Sequence, residues 1–176
     1  AGYRGYTMGT LNIDRYFQAN VEGALAAGLD VGFYFFSQAV TVAEAIEEAQ
    51  YLMELVEPYR GRIRYPLVFD WERQNYAGSR TQTIPDTDLL CSMANAFCAD
   101  IEAAGYEAMI YFYQNLAYNN YDLSKIMEHP LWLAQYTDYP SFYYDFEMWQ
   151  YTSSGKVPGI SGNVDLNLRF FRDGEL

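Results

Sequence analysis

An apolar strand that runs straight into two carboxylates is the strongest constraint on this chain. It reads Tyr65-Pro66-Leu67-Val68-Phe69-Asp70-Trp71-Glu72. Leu67, Val68 and Phe69 form the continuous apolar run expected of a strand covered on both faces. Pro66 suits the first position of a strand, where a missing N–H costs little. Side chains alternate along a strand, so Val68, Asp70 and Glu72 share one face and Leu67, Phe69 and Trp71 the other. The Cα atoms of Asp70 and Glu72 then stand roughly 6.5 Å apart. Two acids aimed the same way at the end of an apolar strand repel each other and resist desolvation. That raises the pKa of one of them, which is how a general acid is made at neutral pH. Acids also end strands simply where a chain returns to solvent, so the pair needs support from the rest of the sequence.

Strand and helix signals alternate around this stretch. Residues 5–12 read as a loop and 14–27 as a helix, with Phe17, Val21 and Leu25 at helical spacing and Gly28 as its stop. Residues 30–38 read as a buried strand. Thr41 and Glu44 form a capping box that opens a helix running to about Glu57, where Pro58 stops it. After the acidic strand come a polar loop over 73–84, a helix over 85–104 ended by Gly105, and a strand over 107–113. Residues 114–128 read as irregular or short helices. Strands follow over 131–136 and 146–151, then a Gly/Ser/Pro loop over 152–162 and a short extended segment over 164–167. Strand–helix alternation implies an α/β fold with a parallel sheet, and the missing later helices imply a modified, incomplete (β/α) TIM-like barrel. In a barrel the C-terminal strand ends meet at one mouth. Here those ends carry Phe36, Gln38, Asp70, Glu72, Tyr111, Tyr113, Trp132, Tyr136, Gln150 and Asp165.

Composition narrows the partners. Eighteen tyrosines exceed what a core needs and suit surfaces that stack on sugar rings. A net charge of −12 repels phosphate backbones and anionic lipid, so neither nucleic acid nor a membrane is an expected partner. No apolar run reaches the ~18 residues that span a bilayer. Cys91 and Cys98 lie i, i+7 on a predicted helix, about 10.5 Å apart along its axis, too far to bond each other. With His129 the only histidine, no Cys/His metal set is available, and no metal or cofactor is expected.

The ordered set of motifs resembles glycoside hydrolase family 25, the Chalaropsis-type lysozymes. The matching stretches are AAGLDVGFYF from Ala26, PLVFDWE from Pro66, IY from Ile110, LWLAQY from Leu131, MWQYT from Met148 and PGISGNVDLN from Pro158. The resemblance implies an N-acetylmuramidase that cleaves the β-1,4 bond between N-acetylmuramic acid and N-acetylglucosamine in bacterial peptidoglycan, outside the cell or in its wall. By position it makes Glu72 the general acid/base, Asp70 its partner and Asp165 the acid of the last strand. Tyr34, Phe36, Tyr111, Trp132, Tyr136 and Gln150 resemble cleft-lining, substrate-binding positions. The whole chain, 1–176, reads as a single catalytic domain of this kind.

One departure stands out. The family begins with a strand bearing an Asp-x-Ser-type motif, then a helix; this chain starts at what reads as the end of the second strand. The expectation is an N-terminally truncated barrel with one carboxylate fewer and an open edge. Lowered or absent activity follows unless another chain covers the gap, as in a homodimer through that edge. Either substrate-assisted retention or direct attack by water with inversion fits these residues. A non-catalytic peptidoglycan-binding remnant and a chitinase-like glycosidase are the alternative readings.

Overall fold

The computed structural model describes residues 1–171, so the single-domain reading extends past the described part. One eight-stranded sheet carries the fold: β1 (Gly2–Arg4), β2 (Leu11–Ile13), β3 (Val31–Ser37), β4 (Ile63–Trp71), β5 (Ala108–Tyr113), β6 (Leu131–Ala134), β7 (Met148–Gly155) and β8 (Val164–Arg169). The helices are α1 (Phe17–Ala26), α2 (Val42–Val56), α3 (Thr87–Ala103) and α4 (Gln114–Asn120). Strand order is β2-β1-β3-β4-β5-β6-β7-β8, and β2 and β8 do not pair with each other, so the sheet curls without closing. The expected incomplete barrel is what forms.

Pairing is parallel from β1 through β7, but antiparallel at both ends, β1 with β2 and β7 with β8. Both ends correct the sequence reading. The end of the 5–12 loop is strand β2, because a tight hairpin lets Leu11–Ile13 pair back on β1. Likewise residues 152–155 extend β7 rather than opening a loop, since Thr152 and Gly155 pair with Leu166 and Val164. α1 begins at Phe17, not residue 14, because the Asp14 side chain accepts the Tyr16 N–H at 2.8 Å and holds a turn there. Pro58 ends α2 as expected, but the chain continues as a 3₁₀ helix, Glu57–Arg62, which tolerates proline in its first turn.

Pro66 is not at the start of its strand; β4 begins three residues earlier. A register shift between Val31 and Phe33 absorbs it. Gly32 makes that bulge possible, because a Cβ there would sit 2.5 Å from the Tyr65 Cβ and 2.8 Å from the Pro66 oxygen.

The alternation along β4 divides the core in two. Leu67, Phe69 and Trp71 face the helices in the main core. There α2 offers Ala45, Ala49, Leu52 and Val56, and α3 offers Leu90, Met93, Phe97 and Ile101. Phe69 and Phe97 rings meet at 5.2 Å. Each of the larger side chains among these, fully buried, stabilises the fold by about 1.5–3 kcal/mol. The opposite face is a small inner cluster of Val68, Met109, Tyr111 and Ala134, with Tyr113, Trp132 and Met148 packed against it. Cys91 and Cys98 are buried on α3 and unbonded.

A buried ionic cluster ties β1 to α2. Arg4 donates from Nε to Glu48 Oε1 (2.7 Å), from Nη2 to Glu47 Oε2 (2.7 Å) and the Glu44 carbonyl (3.0 Å), and from Nη1 to the Gly9 carbonyl (2.7 Å). Glu48 is fully buried, and desolvation outweighs the help from Ser37 and Arg4, pushing its carboxyl from 4.5 up to about 7. The folded state therefore binds this proton more tightly than the unfolded chain does. Stability is highest below the unfolded value and is lost as pH rises from about 4.5 to about 7. Thermal unfolding across that window will show a falling Tm, with a shallower fall in Glu48→Gln. Asp70 and Glu72 shift in the same direction, so the slope is reduced there and not abolished.

Candidate active site

Parallel register sets one row of the inner face. Phe36 pairs with Asp70, Asp70 with Tyr111, and Tyr111 with Trp132. Residues paired across a parallel sheet point to the same side, so these four project inward at one level. Glu72 lies two residues further along the chain, just past the end of β4. Tyr34 lies one inward position below Phe36. The rings of Tyr111 and Trp132 meet edge to face at 5.2 Å. On the far side, Gln150 of β7 accepts two hydroxyl protons at its Oε1, from Tyr111 at 3.0 Å and from Tyr136 at 2.7 Å. Trp132 Nε1 donates to Asn167 Oδ1 at 3.0 Å. That bond turns the Asn167 face of β8 inward, and Asp165, two residues before it, shares that face.

The carboxylates feel one another. Asp70 is buried and its Oδ1 has no hydrogen-bond partner among the described residues. Burial, then the Glu72 charge, holds its carboxyl well above the usual aspartate range, and Asp165 adds to the shift. Burial also raises Glu72; the Tyr111 hydroxyl pulls it down and Asp165 pushes it up. Tyr111 has one proton and two acceptors in reach, Gln150 Oε1 and the Glu72 carboxylate. Burial and the charges of Glu72 and Asp70 keep that hydroxyl protonated, so it remains a donor. Tyr34 is held protonated by burial and by Asp70. The sequence made Glu72 the protonated member. The structure raises both acids and buries Asp70 more deeply, so the two titrate as a pair.

Every site residue named from the sequence lies on the inner face or at its mouth. Tyr34 and Tyr136 are half exposed there, and Asp165 is exposed. Asn167, Tyr3 and Tyr6 were missed. Asn167 was readable, since it follows Asp165 by two in an extended segment. Tyr3 and Tyr6 were not readable, because they reach the mouth only through the β1–β2 hairpin. Their rings stack at 6.1 Å, and Tyr6 meets Phe36 edge-on at 5.9 Å. A cleft of about 440 Å³ opens among Tyr3, Tyr6, Tyr34 and Phe36. A second cavity, of about 310 Å³, lies among Tyr34, Val68, Trp132 and Met148 inside the barrel. A separate hollow of about 620 Å³ lies among His129, Leu131, Glu147 and Phe170, at the opposite ends of β6 and β7 from the carboxylates.

Aromatic rings thus stand on both sides of the acids, at the C-terminal ends of the strands. Residues 3–160 match the family model for glycosyl hydrolases family 25. The chain belongs to that family. Among curated relatives of this family-25 chain is an autolytic lysozyme of Clostridium acetobutylicum, 27% identical over 162 residues, covering 92% of this chain and 46% of that protein. The modular autolysin LytC of Streptococcus pneumoniae superposes with a TM-score of 0.76 at 28% identity, over 94% of this chain and 39% of LytC. A structure of LytC with a synthetic peptidoglycan ligand matches equally well, with a TM-score of 0.76 at 27% identity. A lysozyme of Streptomyces coelicolor shares the fold, with a TM-score of 0.70 at 21% identity, over 97% of this chain and 78% of that one. The chain thus spans less than half the length of the autolytic lysozyme and of LytC. No helix among the described residues is long and apolar enough to cross a membrane.

Proposed function

We propose that this chain is a muramidase that hydrolyses the β-1,4 bond between N-acetylmuramic acid and N-acetylglucosamine in bacterial peptidoglycan. The observation that carries the reading is the coupled, largely buried pair of Asp70 and Glu72, set between aromatic walls in a family-25 fold. Glycoside cleavage needs a proton on the leaving oxygen and stabilisation of an oxocarbenium-like centre. Glu72 is the member of the pair at the mouth and donates the proton. Asp70, deeper, keeps the pair from losing its last proton near neutrality. Asp165 faces the same space from β8, and it or Asp70 orients the substrate's own N-acetyl group or an attacking water. Gln150 fixes the Tyr111 and Tyr136 hydroxyls, and Tyr34, Phe36 and Trp132 supply ring faces and edges for the sugars. The site of action is the cell wall or the space outside the cell.

The test is mass spectrometry of purified peptidoglycan after incubation with the chain. Fragments ending in reducing N-acetylmuramic acid support the muramidase. Binding without release points to a wall-binding module, and turnover of chitin alone to a chitinase-like enzyme. Product anomer at early time separates retention from inversion. Pairing of two copies through the open sheet edge belongs to the same proposal, and a monomeric mass by light scattering counts against it.

The coupling also predicts a pH effect. The Glu72 charge disfavours ionisation of Asp70, so removing it in Glu72→Gln lets Asp70 lose its proton earlier. The Asp70 carboxyl titration, followed by carbon NMR, is expected to move to lower pH in that variant. An unmoved titration would mean that the Glu72 charge does not hold the Asp70 proton.

A further inference from the structure

The carbonyl of Glu72 lies one residue beyond β4, where the ladder with β3 has ended. It is satisfied by a side chain. Gln38, one residue beyond β3, donates its Nε2 to the Glu72 oxygen at 2.8 Å and to the Ser37 oxygen at 2.7 Å. Both are carbonyls that can only accept, so the amide nitrogen must face them and the Gln38 orientation is fixed. On the other side, Gln38 Oε1 accepts from Thr81 Oγ1 at 2.6 Å. Thr81 Oγ1 accepts in turn from the Gln74 N–H at 3.0 Å. Gln38 and Thr81 are both fully buried. The Gln38 N–H donates to Glu48 Oε1 at 3.3 Å, the same oxygen that Arg4 Nε holds.

This chain of bonds joins the ends of two neighbouring strands, the loop after the acids, and the ionic cluster beneath them. Each amide proton of Gln38 is used, and its amide plane is rigid. A buried glutamine that satisfied only local carbonyls would serve stability alone. This one also reaches the main chain of the residue given the proton-transfer role, and the loop that follows it.

We propose that Gln38, braced by Thr81, is a positioning residue for Glu72. It fixes the Glu72 backbone and locks the 73–84 loop to the mouth, so that the carboxyl meets the glycosidic oxygen at the reactive distance. This inference rests on the reading of Glu72 as the acid. Displacing a catalytic group by about 1 Å costs roughly 100-fold in rate, and that is the scale expected when the clamp is opened.

The experiment compares the wild type with Gln38→Met, which keeps length without hydrogen bonds, and with Thr81→Val and Thr81→Ser. Turnover is measured on soluble peptidoglycan oligosaccharides, fold by near-UV circular dichroism, and clamp integrity by hydrogen exchange at the Gln74 amide. The expected result is a folded Gln38→Met with kcat down roughly 100-fold and KM unchanged. Thr81→Val should lose turnover in the same way, while Thr81→Ser, which keeps the hydroxyl, should retain it. Gln74 exchange should be slow in the wild type and in Thr81→Ser and fast in the other two. A folded Gln38→Met with wild-type kcat overturns the proposal, and so does a change confined to KM. If Gln38→Met does not fold, the Thr81 pair decides: equal turnover in Thr81→Val and Thr81→Ser overturns it. A wild type that releases nothing overturns the hydrolase reading instead. The exchange data then judge the clamp separately: Gln74 protection lost in Thr81→Val and kept in Thr81→Ser upholds it as a device of the fold, and equal protection rejects it.

Discussion

Glu72→Gln is expected to lower turnover on peptidoglycan by about 10²–10⁴-fold, the range for loss of a general acid or base. Gln is nearly isosteric, and the Glu72 carbonyl bond to Gln38 involves the main chain, so the backbone clamp survives the change. The aromatic walls survive it too, because Tyr111 keeps its bond to Gln150 and its edge-on contact with Trp132. Binding should therefore persist while cleavage stops. Sedimentation of the variant with insoluble peptidoglycan, beside fragment release by mass spectrometry, checks both halves. Glu72 is also raised by burial, so removing its charge relieves a destabilising group at neutral pH, and Tm should not fall. Equal cleavage by Glu72→Gln and wild type would move the proton donor elsewhere, with Asp70 the buried acid that remains at the mouth.

The inner row of the site was legible because it depends on two short-range rules. Period-two alternation put Asp70 and Glu72 on the face opposite Phe69 and Trp71. Strand ends that meet at one mouth then grouped Phe36, Tyr111, Trp132 and Gln150 without knowledge of any contact. What stayed hidden depends on pairs distant in sequence. Arg4 and Glu48 are 44 positions apart, and Gln38 and Thr81 are 43 apart. No local pattern marks such partners; a charged residue beside a strand reads as solvated until the fold buries it. Residues 152–155, Thr-Ser-Ser-Gly, show the same limit in the backbone. Their composition is that of a loop, and only the antiparallel return of β8 makes them strand. Gly155 is required there because a Cβ would sit 2.4 Å from the Leu166 side chain. The charge balance was legible in total but not in place, since the sequence gives no sign that Glu48 is among the acids withdrawn from water.

Trp71→Ala should be the most destabilising single change, because Trp71 sits between the two acids yet points the other way. It is fully buried in the helix-facing core, and its Nε1 donates to the Ala39 carbonyl at 2.9 Å. Truncation removes the largest fully buried side chain and leaves a cavity in that core, at a cost of about 3–5 kcal/mol. The stranded Ala39 carbonyl adds a further penalty of about 1–3 kcal/mol if water cannot reach it. A domain of ordinary stability has only about 5–15 kcal/mol in hand, so the variant would be close to unfolding at room temperature. Trp71→Phe separates the two contributions: it fills most of the space and loses mainly the indole bond, for a smaller loss. Urea unfolding of both variants gives the measurement, read as the shift in midpoint at constant slope. Ala39 follows Gln38 directly, so the Trp71 bond also braces the segment that holds the Glu72 carbonyl. Folded Trp71→Phe is therefore expected to lose turnover beyond what its unfolded fraction explains. Wild-type turnover per folded molecule would mean that the two faces of β4 act independently, with the core supporting the strand but not the aim of its acids.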